Sequence, residues 1–431
     1  MSTSHDLTFT IGSKAALYNG GQHLPSQVQQ ALQQEWNSIS LELEAQEGES
    51  WKQAYILPKS LDQLRSKRSG WYQIARGSSV FASGLSDYAH SLWSGWYGNR
   101  ELDQIKEHLD AQRLANLFET ALRERSRLTT SFHKIKPLAT GSETIHPILS
   151  LTESGIRLQG KQTFGADALF ADELLVFLNQ EGEKVSSGIA VIPVSSEQLE
   201  VQVHADLQAG FTVIYNSIDI PWERILVNDD AASVKQLTQQ PAAVSLADYQ
   251  WIARQLDLLE LIAGTAFALA EENGLNKELH IQTALGEIVQ HLEVLKAFIF
   301  TAEEGASANE AGLFLPSATP LQAARKAGGA YIHHALDVLD RVSQTAILDS
   351  PHLSFSGQRD DGDQATLLHG VWTLIGGEQA YRRKQHELYT FGDPIVQSAL
   401  FYQQYAFDFY KELYTKFWNK AGTPASQYIY E

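Results

Sequence analysis

The sequence predicts a mainly α-helical protein of the α+β class, with a central β domain between an N-terminal helical domain and a C-terminal four-helix bundle. Three observations predict this fold. Apolar residues recur at helical spacing before residue 140 and again after residue 236. Between these regions, five or six short strand-like segments are separated by Gly, Asn and Ser, which is typical of an antiparallel β-barrel or sandwich. We therefore place the domains at residues 1–140, 141–235 and 236–431.

The N-terminal domain is predicted to be mostly helical. Residues 27–43 and 105–128 carry apolar residues at helical spacing with polar faces between them. Residues 71–97 are rich in aromatic and small side chains and poor in charge, which predicts a buried helix pair. The aromatic side chains clustered near its end are best explained by core packing, with the wall of a flat pocket as the alternative. They are Trp93, Trp96 and Tyr97.

The central domain is predicted from short apolar or alternating runs, which are β-strand patterns. The runs cover residues 156–159, 174–178, 189–194, 199–204, 211–215 and 225–227. Just before the last run stands the sequence Pro-Trp-Glu-Arg, at 221–224. Pro221 fixes its own backbone and disfavours helix at the residue before it, so this segment reads as a rigid joint. We expect Trp222 to pack between domains and the Glu223–Arg224 pair to be structural.

The C-terminal domain is predicted to be a bundle of about four long helices, because long apolar periodic runs are joined by short connections. The run 249–269 is apolar nearly all round and should form the most buried helix. Further helices are expected at 281–299, 323–347, 364–389 and 395–418.

Composition excludes several classes of function. The net charge of −18 argues against nucleic acid and anionic membranes as partners. The chain has no cysteine, which excludes disulfides, thiolate nucleophiles, thiolate zinc sites and iron–sulfur clusters. Its first residues lack the pattern of a signal peptide, and no apolar run approaches the roughly 20 residues of a membrane span. We expect a cytoplasmic protein.

Standard catalytic and binding motifs are missing. There is no Gly-x-Gly-x-x-Gly sequence and no phosphate-binding loop that ends in Lys-Ser/Thr. Glu287 and His291 share a helix face, but a di-metal bundle site needs a Glu-x-x-His pattern repeated on other helices, and no repeat occurs. No metal site is predicted.

Four stretches of the chain carry a resemblance to one known family. They are SSVFASGLSDY at 78–88, a segment from 155 that ends in FADELLV at 170–176, DIPWERILV at 219–227, and HIQTALGE at 280–287 with ELYTFGDP at 387–394. In this order and spacing they resemble the 4-hydroxyphenylacetate 3-hydroxylase family. Its members are flavin-dependent monooxygenases with an acyl-CoA-dehydrogenase-like fold, so the resemblance implies that fold here.

The resemblance also implies a function. Members of this family bind reduced FAD that a separate flavin reductase delivers, and they hydroxylate an aromatic ring through a flavin C4a-hydroperoxide. The protein excludes water, holds a small aromatic substrate and adjusts protons. Members are homo-oligomers, commonly tetramers, with flavin bound where subunits meet. A dimer or tetramer is therefore expected.

By the same resemblance, two residues are candidates for catalysis. Tyr88 would hydrogen-bond substrate or flavin, whereas the structural alternative is a buried tyrosine with a satisfied hydroxyl group. His133 would act as a general acid or base, and the alternative is a surface histidine. The candidate cofactor-binding residues are Lys161, Thr163, Ala166, Arg382 and Arg383.

The chain departs from the family pattern where chemistry is expected. The position of a family arginine is Gly84, and that of a family histidine is Phe132, with His133 one place later. Ala166 stands where the family has a threonine. Arginine and histidine together would hold and ionise a phenol, so we predict inefficient hydroxylation of 4-hydroxyphenylacetate. Two alternatives stay open: an acyl-CoA-dehydrogenase-like flavin oxidoreductase, and a diverged scaffold without flavin chemistry.

Overall fold

The structure, a computed structural model, has helices before and after a central region that supplies most strands of two β-sheets. It describes residues 7–10, 55–77, 88–124, 126–130, 148–164, 171–179, 187–194, 199–203, 211–348 and 394–421, with short pieces between 367 and 376. The predicted helix at 27–43 lies outside these residues. Among the described helices, none combines the length and the apolar character needed to cross a membrane.

Four helices form the described N-terminal region. They are α1 (Leu61–Gly77), α2 (Ala89–Gly98), α3 (Asp103–Lys106) and α4 (Ala111–Glu124). A buried helix pair was expected at 71–97, but α1 begins ten residues earlier and overlaps that range only at 71–77, while α2 covers its end. The pattern at 105–128, in contrast, is divided between α3, α4 and a strand. The chain starts a new helix after Asp110, because the Asp110 carboxylate accepts a hydrogen bond from the backbone N–H of Arg113 at 2.9 Å.

The described strands form two sheets and a separate hairpin. The strands are β1 (Leu7–Thr10), β2 (Leu128–Thr130), β3 (Ile148–Leu151), β4 (Gly155–Phe164), β5 (Glu173–Asn179), β6 (Ser187–Pro193), β7 (Leu199–Val203), β8 (Phe211–Pro221), β9 (Ile225–Val227), β10 (Ser307–Ala308) and β11 (Phe314–Leu315). One sheet has the order β1-β7-β8-β4-β3 and the other β2-β5-β6-β9, while β10 and β11 form the hairpin.

The two large sheets share one apolar core. Leu158 and Tyr215 come from the five-stranded sheet, Val176 and Ile192 from the four-stranded sheet, and all four belong to one buried cluster. The arrangement is therefore a sandwich and not a closed barrel. The described strands between residues 141 and 235 pair with one another in antiparallel fashion, as expected, whereas β2, which precedes this range, pairs with β5 in parallel. Parallel neighbours need a long crossover, and the chain between residues 130 and 173 supplies it.

The Pro-Trp-Glu-Arg joint forms a 3₁₀ turn at Trp222–Arg224, between β8 and β9. Trp222 packs against the core of the sheet sandwich, and its indole N–H donates to the carbonyl of Glu153 at 3.3 Å. The Arg224 guanidinium donates to the Glu173 carboxylate at 3.0 Å. The contact with the N-terminal helices is made by Arg113, whose guanidinium donates to the carbonyl of Ile225 at 2.5 Å. The joint is structural, as expected for Glu223–Arg224, but Trp222 packs on the β core, where packing between domains was expected.

Six helices are described in the C-terminal region. They are α5 (Ala231–Thr238), α6 (Pro241–Glu272), α7 (Leu279–Glu304), α8 (Ala318–Leu348), α9 (Pro394–Gln404) and α10 (Asp408–Ala421). The most buried is α6, as predicted, and it packs against α1, α2, α7 and α8. Only short pieces of the helix predicted at 364–389 are described. The helix predicted at 395–418 is interrupted, because a turn closed by the N–H of Tyr410 on the carbonyl of Phe407 starts α10.

A buried carboxylate joins three helices. Glu303 at the end of α7 is 3% exposed. It accepts hydrogen bonds from Arg68 of α1 at 2.6 Å and from the hydroxyl group of Tyr249 of α6 at 2.6 Å. Arg65 of α1 adds a third donor at 2.9 Å. A buried charge is stable only when it is paired and hydrogen-bonded, and Glu303 meets both conditions.

Helix α2 touches α6 at a glycine. A Cβ atom on Gly95 would lie 2.3 Å from the Cα of Ala243, which is a backbone clash. We expect Gly95→Ala to destabilise the protein by roughly 1–3 kcal/mol or more, because the two helices must separate. Gly264, in the interior of α6, has no atom within 4 Å of its Cβ position. Gly264→Ala is the matched control, and we expect it to stabilise by about 0.5–1 kcal/mol through helix propensity. Urea unfolding measures the free energy of unfolding of both variants. Equal changes in the two variants would contradict the close contact at Gly95.

Candidate active site at the junction of helices α2 and α6

The candidate catalytic residue Tyr88 lies at the start of α2, facing α6. It is the N-cap residue of α2 and is 1% exposed. Its ring meets Trp251 of α6 edge to face, with ring centroids 6.5 Å apart and an angle of 84°. Its carbonyl accepts the N–H of Leu92 at 3.0 Å, which fixes the backbone as the first turn of the helix. The structure therefore holds an aromatic hydroxyl group inside the protein, between two helices.

A second buried contact fixes the same junction. The hydroxyl group of Ser91 donates to the side-chain carbonyl of Gln250 at 2.6 Å. Both side chains are at most 1% exposed. Buried polar groups need such partners, so this bond sets the position of α2 on α6. Because Gln250 precedes Trp251, the hydrogen bond and the aromatic contact act at adjacent positions of α6.

His90 connects α2 to strand β2. Its Nε2 accepts the backbone N–H of Leu128 at 3.0 Å, so the ring is neutral with its proton on Nδ1. Tyr55 packs against it edge to face, with centroids 4.6 Å apart. Burial, together with the smaller effects of the charges of Lys67 and Arg254, lowers the pKa of His90 to about 3. His90 stays neutral at physiological pH.

Two buried basic side chains act electrostatically on His90. Lys67 of α1 is 0% exposed, and Arg254 of α6 is 5% exposed. The Lys67 ammonium donates to the carbonyl of Ile56 at 3.1 Å and lies 5.6 Å from the ring centroid of Trp71. Burial lowers the pKa of Lys67 from its ordinary value of 10.5 to about 7. We call Lys67, His90 and Arg254 the basic cluster.

The other sequence-predicted site residues are only partly covered. Lys161 and Thr163 lie on β4, paired with Ile214 and Thr212 of β8, and only their backbone is described. The remaining four lie outside the described residues. They are His133, Ala166, Arg382 and Arg383. Among the predicted catalytic residues, the structure thus places Tyr88 alone.

The aromatic cluster at the end of α2 packs in the core, as the preferred interpretation stated. Trp93 and Trp96 are both 0% exposed. The indole N–H of Trp96 donates to the carbonyl of Leu237 at 2.9 Å. Tyr97 stacks on Phe118 with centroids 4.1 Å apart. These contacts attach α2 to α4 and α5. They fix the position of the helix that begins at Tyr88.

Sequence reasoning missed the basic cluster and Gln250. A signal was present, because the helix predicted as most buried carries polar side chains. Every residue from 245 to 259 is buried, Gln250 and Arg254 among them. In a helix without a solvent face, each polar side chain must meet a partner inside the protein. Such positions are candidates for structural networks or for binding.

Another polar cluster lies between α7 and α8. His334 Nε2 is 2.9 Å from a Glu287 oxygen, and His291 stacks on Tyr331 with ring centroids 4.1 Å apart. Within the part of the chain that the structure describes, no group of three or more His, Cys, Asp or Glu side chains has a geometry that could hold a metal ion. The cluster therefore serves to join the two helices.

Comparison with known proteins adds the family context. A family model described as 4-hydroxyphenylacetate 3-hydroxylase C terminal matches residues 234–353 and 353–419. The "Probable 4-hydroxyphenylacetate 3-monooxygenase" of Bacillus subtilis is 22% identical over 401 residues, covering 82% of this chain and 81% of that protein.

Solved structures show the same fold. The oxygenase component of 4-hydroxyphenylacetate 3-monooxygenase complexed with FAD superposes with a TM-score of 0.71 at 19% identity, covering 86% of this chain and 85% of that chain. Glutaryl-coenzyme A dehydrogenase superposes with a TM-score of 0.53 at 12% identity, covering 88% and 95%. The fold is therefore acyl-CoA-dehydrogenase-like.

The buried Lys67 predicts a pH dependence of stability. Its pKa is about 7 in the folded protein and 10.5 ordinarily, so between these values the unfolded chain binds more protons. The charged, buried Lys67 therefore lowers the free energy of unfolding near neutral pH. As pH rises through this window, the free energy of unfolding increases by up to about 1.4 kcal/mol per pH unit.

The Lys67→Met variant should lack this pH-dependent destabilisation. We expect its free energy of unfolding to exceed that of the parent near neutral pH, and the difference to shrink as pH rises. Lys59→Met, at an exposed position before α1, is the control and should leave the slope unchanged. Urea unfolding across the window measures both, and parallel pH profiles of parent and Lys67→Met would count against a strained buried lysine.

Proposed function

We propose that this protein is a reduced-FAD-dependent monooxygenase of the two-component type. Its C-terminal helical region belongs to the 4-hydroxyphenylacetate 3-hydroxylase C-terminal family, and the chain is a diverged relative of the oxygenase components with that fold. It hydroxylates an aromatic or similarly planar substrate. The observation that carries the proposal is the α2–α6 junction, where Tyr88 lies buried against Trp251 in a chain with this fold.

In this proposal the flavin ring lies beside the contact between α2 and β2. Three of the buried polar atoms that have no hydrogen-bond partner among the described residues lie there: the indole nitrogen of Trp93, the hydroxyl group of Ser94 and the hydroxyl group of Thr129. Trp93 and Ser94 belong to α2 and Thr129 to β2, two elements that pack together. Unsatisfied buried donors are costly, and the carbonyl and ring-nitrogen edge of a flavin would satisfy them.

Further cofactor contacts are proposed from the sequence. Lys161 and Thr163 lie on β4, the strand that leads toward Ala166, and these three would meet the flavin ring or its ribityl chain. Arg382 and Arg383 would bind the pyrophosphate, because guanidinium groups match phosphate oxygens in charge and geometry. Bound reduced FAD supplies the electrons with which O₂ is activated and one oxygen atom is inserted into the substrate.

The chain's own residues bind, orient and exclude water. Tyr88 and Trp251 offer two apolar ring faces and one hydroxyl group, which suits a planar ligand with a polar substituent. The Tyr88 hydroxyl group orients that substituent. His133 takes up the phenolic proton as the ring is attacked. His90 is engaged with Leu128 and stays neutral, so it has a positioning role and does not exchange the proton.

The surface supports a homo-oligomer, a dimer or tetramer. Large apolar side chains are exposed on three C-terminal helices, and burial against another copy would remove them from water. They include Phe300 on α7, Ile395 and Tyr402 on α9, and Phe409 and Tyr414 on α10, each at least 60% exposed. A flavin reductase is the proposed transient partner, and a cytoplasmic location stays a prediction.

Flavin titration tests the proposal. We expect the protein to bind reduced FAD more tightly than oxidised FAD under anaerobic conditions. We also expect it to slow the oxidation of bound reduced FAD by O₂ relative to free reduced FAD, because the site excludes water. Tight binding of oxidised FAD with reduction by an acyl thioester would instead indicate a dehydrogenase. Absence of binding in both redox states would indicate a scaffold without flavin.

The substrate prediction concerns 4-hydroxyphenylacetate. Gly84 and Phe132 replace the arginine and histidine that the family resemblance places around a phenol, so ionisation of a simple phenol is less favoured. With FAD, NADH and a flavin reductase present, we expect NADH to be consumed. The amount of hydroxylated product formed from this compound should be small compared with the NADH consumed. Steady formation of the catechol product coupled to NADH consumption, measured by chromatography, would contradict the prediction.

Tyr88 is predicted to act through its hydroxyl group. In Tyr88→Phe we expect turnover of an accepted substrate to fall by roughly 10-fold or more, because one oriented hydrogen bond is lost, while flavin affinity changes little. Tyr97→Phe is the matched control, since the Tyr97 hydroxyl group donates to Glu119 at an exposed site, 2.8 Å away. Equal activity of both variants in coupled assays would assign Tyr88 to packing alone.

A further inference from the structure

We propose that Asn99 and Asn309 are positioning residues for the candidate active site, because they join the C-terminal end of α2 to the β10–β11 hairpin and so hold the helix that begins at Tyr88. Residues 305–317, which contain this hairpin and connect α7 to α8, are called the clasp below. The effect of the clasp on the reaction rests on the proposed function. Its hold on α2 rests on the contacts of the clasp alone.

Helix α2 has little stability of its own. It has ten residues, and isolated helices shorter than about 12–15 residues are marginal in water. Two of the ten are glycines, Gly95 and Gly98, which weaken a helix relative to alanine. The first turn carries no acidic residue and the last turn no basic residue, so side-chain charges do not support the helix dipole. The helix therefore depends on contacts with its neighbours.

Two asparagine side chains link the clasp to the last turn of α2. The side-chain carbonyl of Asn309 accepts the backbone N–H groups of Ala311 at 3.1 Å and Leu313 at 2.9 Å, which closes the turn between β10 and β11. The amide group of Asn309 donates to the side-chain carbonyl of Asn99 at 2.7 Å. The amide group of Asn99 donates in turn to the backbone carbonyl of Gly95 at 3.0 Å. Hydrogen bonds thus run without a break from the hairpin turn to α2.

The two ends of this series of hydrogen bonds fix its direction. Backbone N–H groups only donate, so Asn309 must present its carbonyl to the turn. A backbone carbonyl only accepts, so Asn99 must present its amide group to Gly95. The groups left to face each other, an amide and a carbonyl, are complementary. Asn99 is 0% exposed, and a mismatch there would leave a buried polar group without a partner.

The series ends at the residue where α2 touches α6. A Cβ atom on Gly95 would lie 2.3 Å from the Cα of Ala243, and the Gly95 carbonyl is one of the last four of the helix, which lack backbone partners within it. Next to it, a Cβ atom on Gly98 would lie 3.1 Å from the methyl carbons of Leu313, which is 3% exposed. The clasp therefore contacts the end of α2 through one hydrogen bond and one apolar contact.

The base of the clasp is fixed to two other helices. The backbone N–H of Ser317 donates to the carbonyl of Ala302 in α7 at 2.9 Å. The carbonyl of Pro316 accepts the hydroxyl group of Ser245 in α6 at 2.8 Å, and Ser245 is buried. Because α6 and α7 hold its base, the clasp restrains α2 and does not simply follow it.

The position of α2 bears on the reaction because the helix carries side chains toward both proposed ligands. Tyr88 at its start meets Trp251 of α6, on the side assigned to the substrate. Trp93 and Ser94 carry buried polar atoms that the proposed function assigns to the flavin. A displacement of α2 would change the distance between substrate and flavin, and a misplacement of about 1 Å costs a reaction roughly 100-fold in rate.

Amide hydrogen exchange tests the hold on α2. Asn309→Asp keeps the two acceptor bonds of the turn and replaces the donor to Asn99 with an oxygen. We expect amides at both ends of α2, Leu92 in the first turn and Arg100 after the last, to exchange roughly 10-fold faster, because a short helix opens as a unit. Amides in the middle of α7 should exchange as in the parent. Faster exchange confined to the last turn would show a local cap and overturn the inference.

Asn116→Asp is the matched control. Asn116 is exposed on α4, and its side-chain carbonyl accepts the amide group of Gln112 at 2.9 Å, so the replacement adds the same charge and keeps the bond. It should leave exchange in α2 unchanged. In an Asn99→Ala background, Asn309→Asp should add less than about 2-fold, because the group it opposes is gone. Independent, multiplying effects of the two changes would show that Asn309 acts elsewhere, against the inference.

Turnover of an accepted substrate separates this inference from the proposed function. Asn309→Asp should lower kcat and the fraction of consumed NADH that yields product by roughly 10-fold, with KM within about 2-fold of the parent, whereas Asn116→Asp should match the parent. Unchanged product yield despite faster exchange would overturn the positioning role and leave the flavin proposal intact. A parent that binds no flavin would reject the proposed function, and faster exchange at Leu92 would still assign the hold on α2 to the clasp.

Discussion

Helix α6 has no solvent-exposed face between residues 245 and 259, and the helices around it are arranged to meet that constraint. Every residue from 245 to 259 is buried, yet the segment contains acids, a base and amides. Each polar group therefore needs a partner on a neighbouring helix. Asp248 meets Arg325 of α8, Tyr249 meets Glu303 of α7, and Gln250 meets Ser91 of α2. Three consecutive residues of α6 thus attach three different helices.

This arrangement also creates the candidate site. Close approach at Gly95 and the Ser91–Gln250 bond set α2 against α6, and the start of α2 then brings Tyr88 to Trp251. The same contact surface places His90 near the charges of Lys67 and Arg254. A site made in this way is rigid, because its walls are the packing surfaces of the core. Function and stability consequently depend on the same buried contacts, and changes to one are felt in the other.

Much of the fold followed from periodicity. The strands β4 to β9 and the helices α6 to α8 lie where alternation or helical spacing predicted them, because long buried elements leave a strong apolar pattern. Departures occurred where a local interaction decided the outcome. Asp110 starts α4 by capping it, and a turn at Phe407 separates α9 from α10. The parallel pairing of β2 with β5 has no local signal, since strand direction depends on the path of the connecting chain.

The sequence by itself determined which segments form helices and strands, and their order along the chain. It also determined the absence of cysteine chemistry and the family resemblance, to which the segment around Trp222 contributes. Tyr88 could be selected from that resemblance. Only the tertiary structure decided that Lys67, His90 and Arg254 share one buried region, because they are far apart in the chain and belong to different helices. Electrostatic interactions depend on distance in space and on the exclusion of water, and neither quantity exists until the helices have packed.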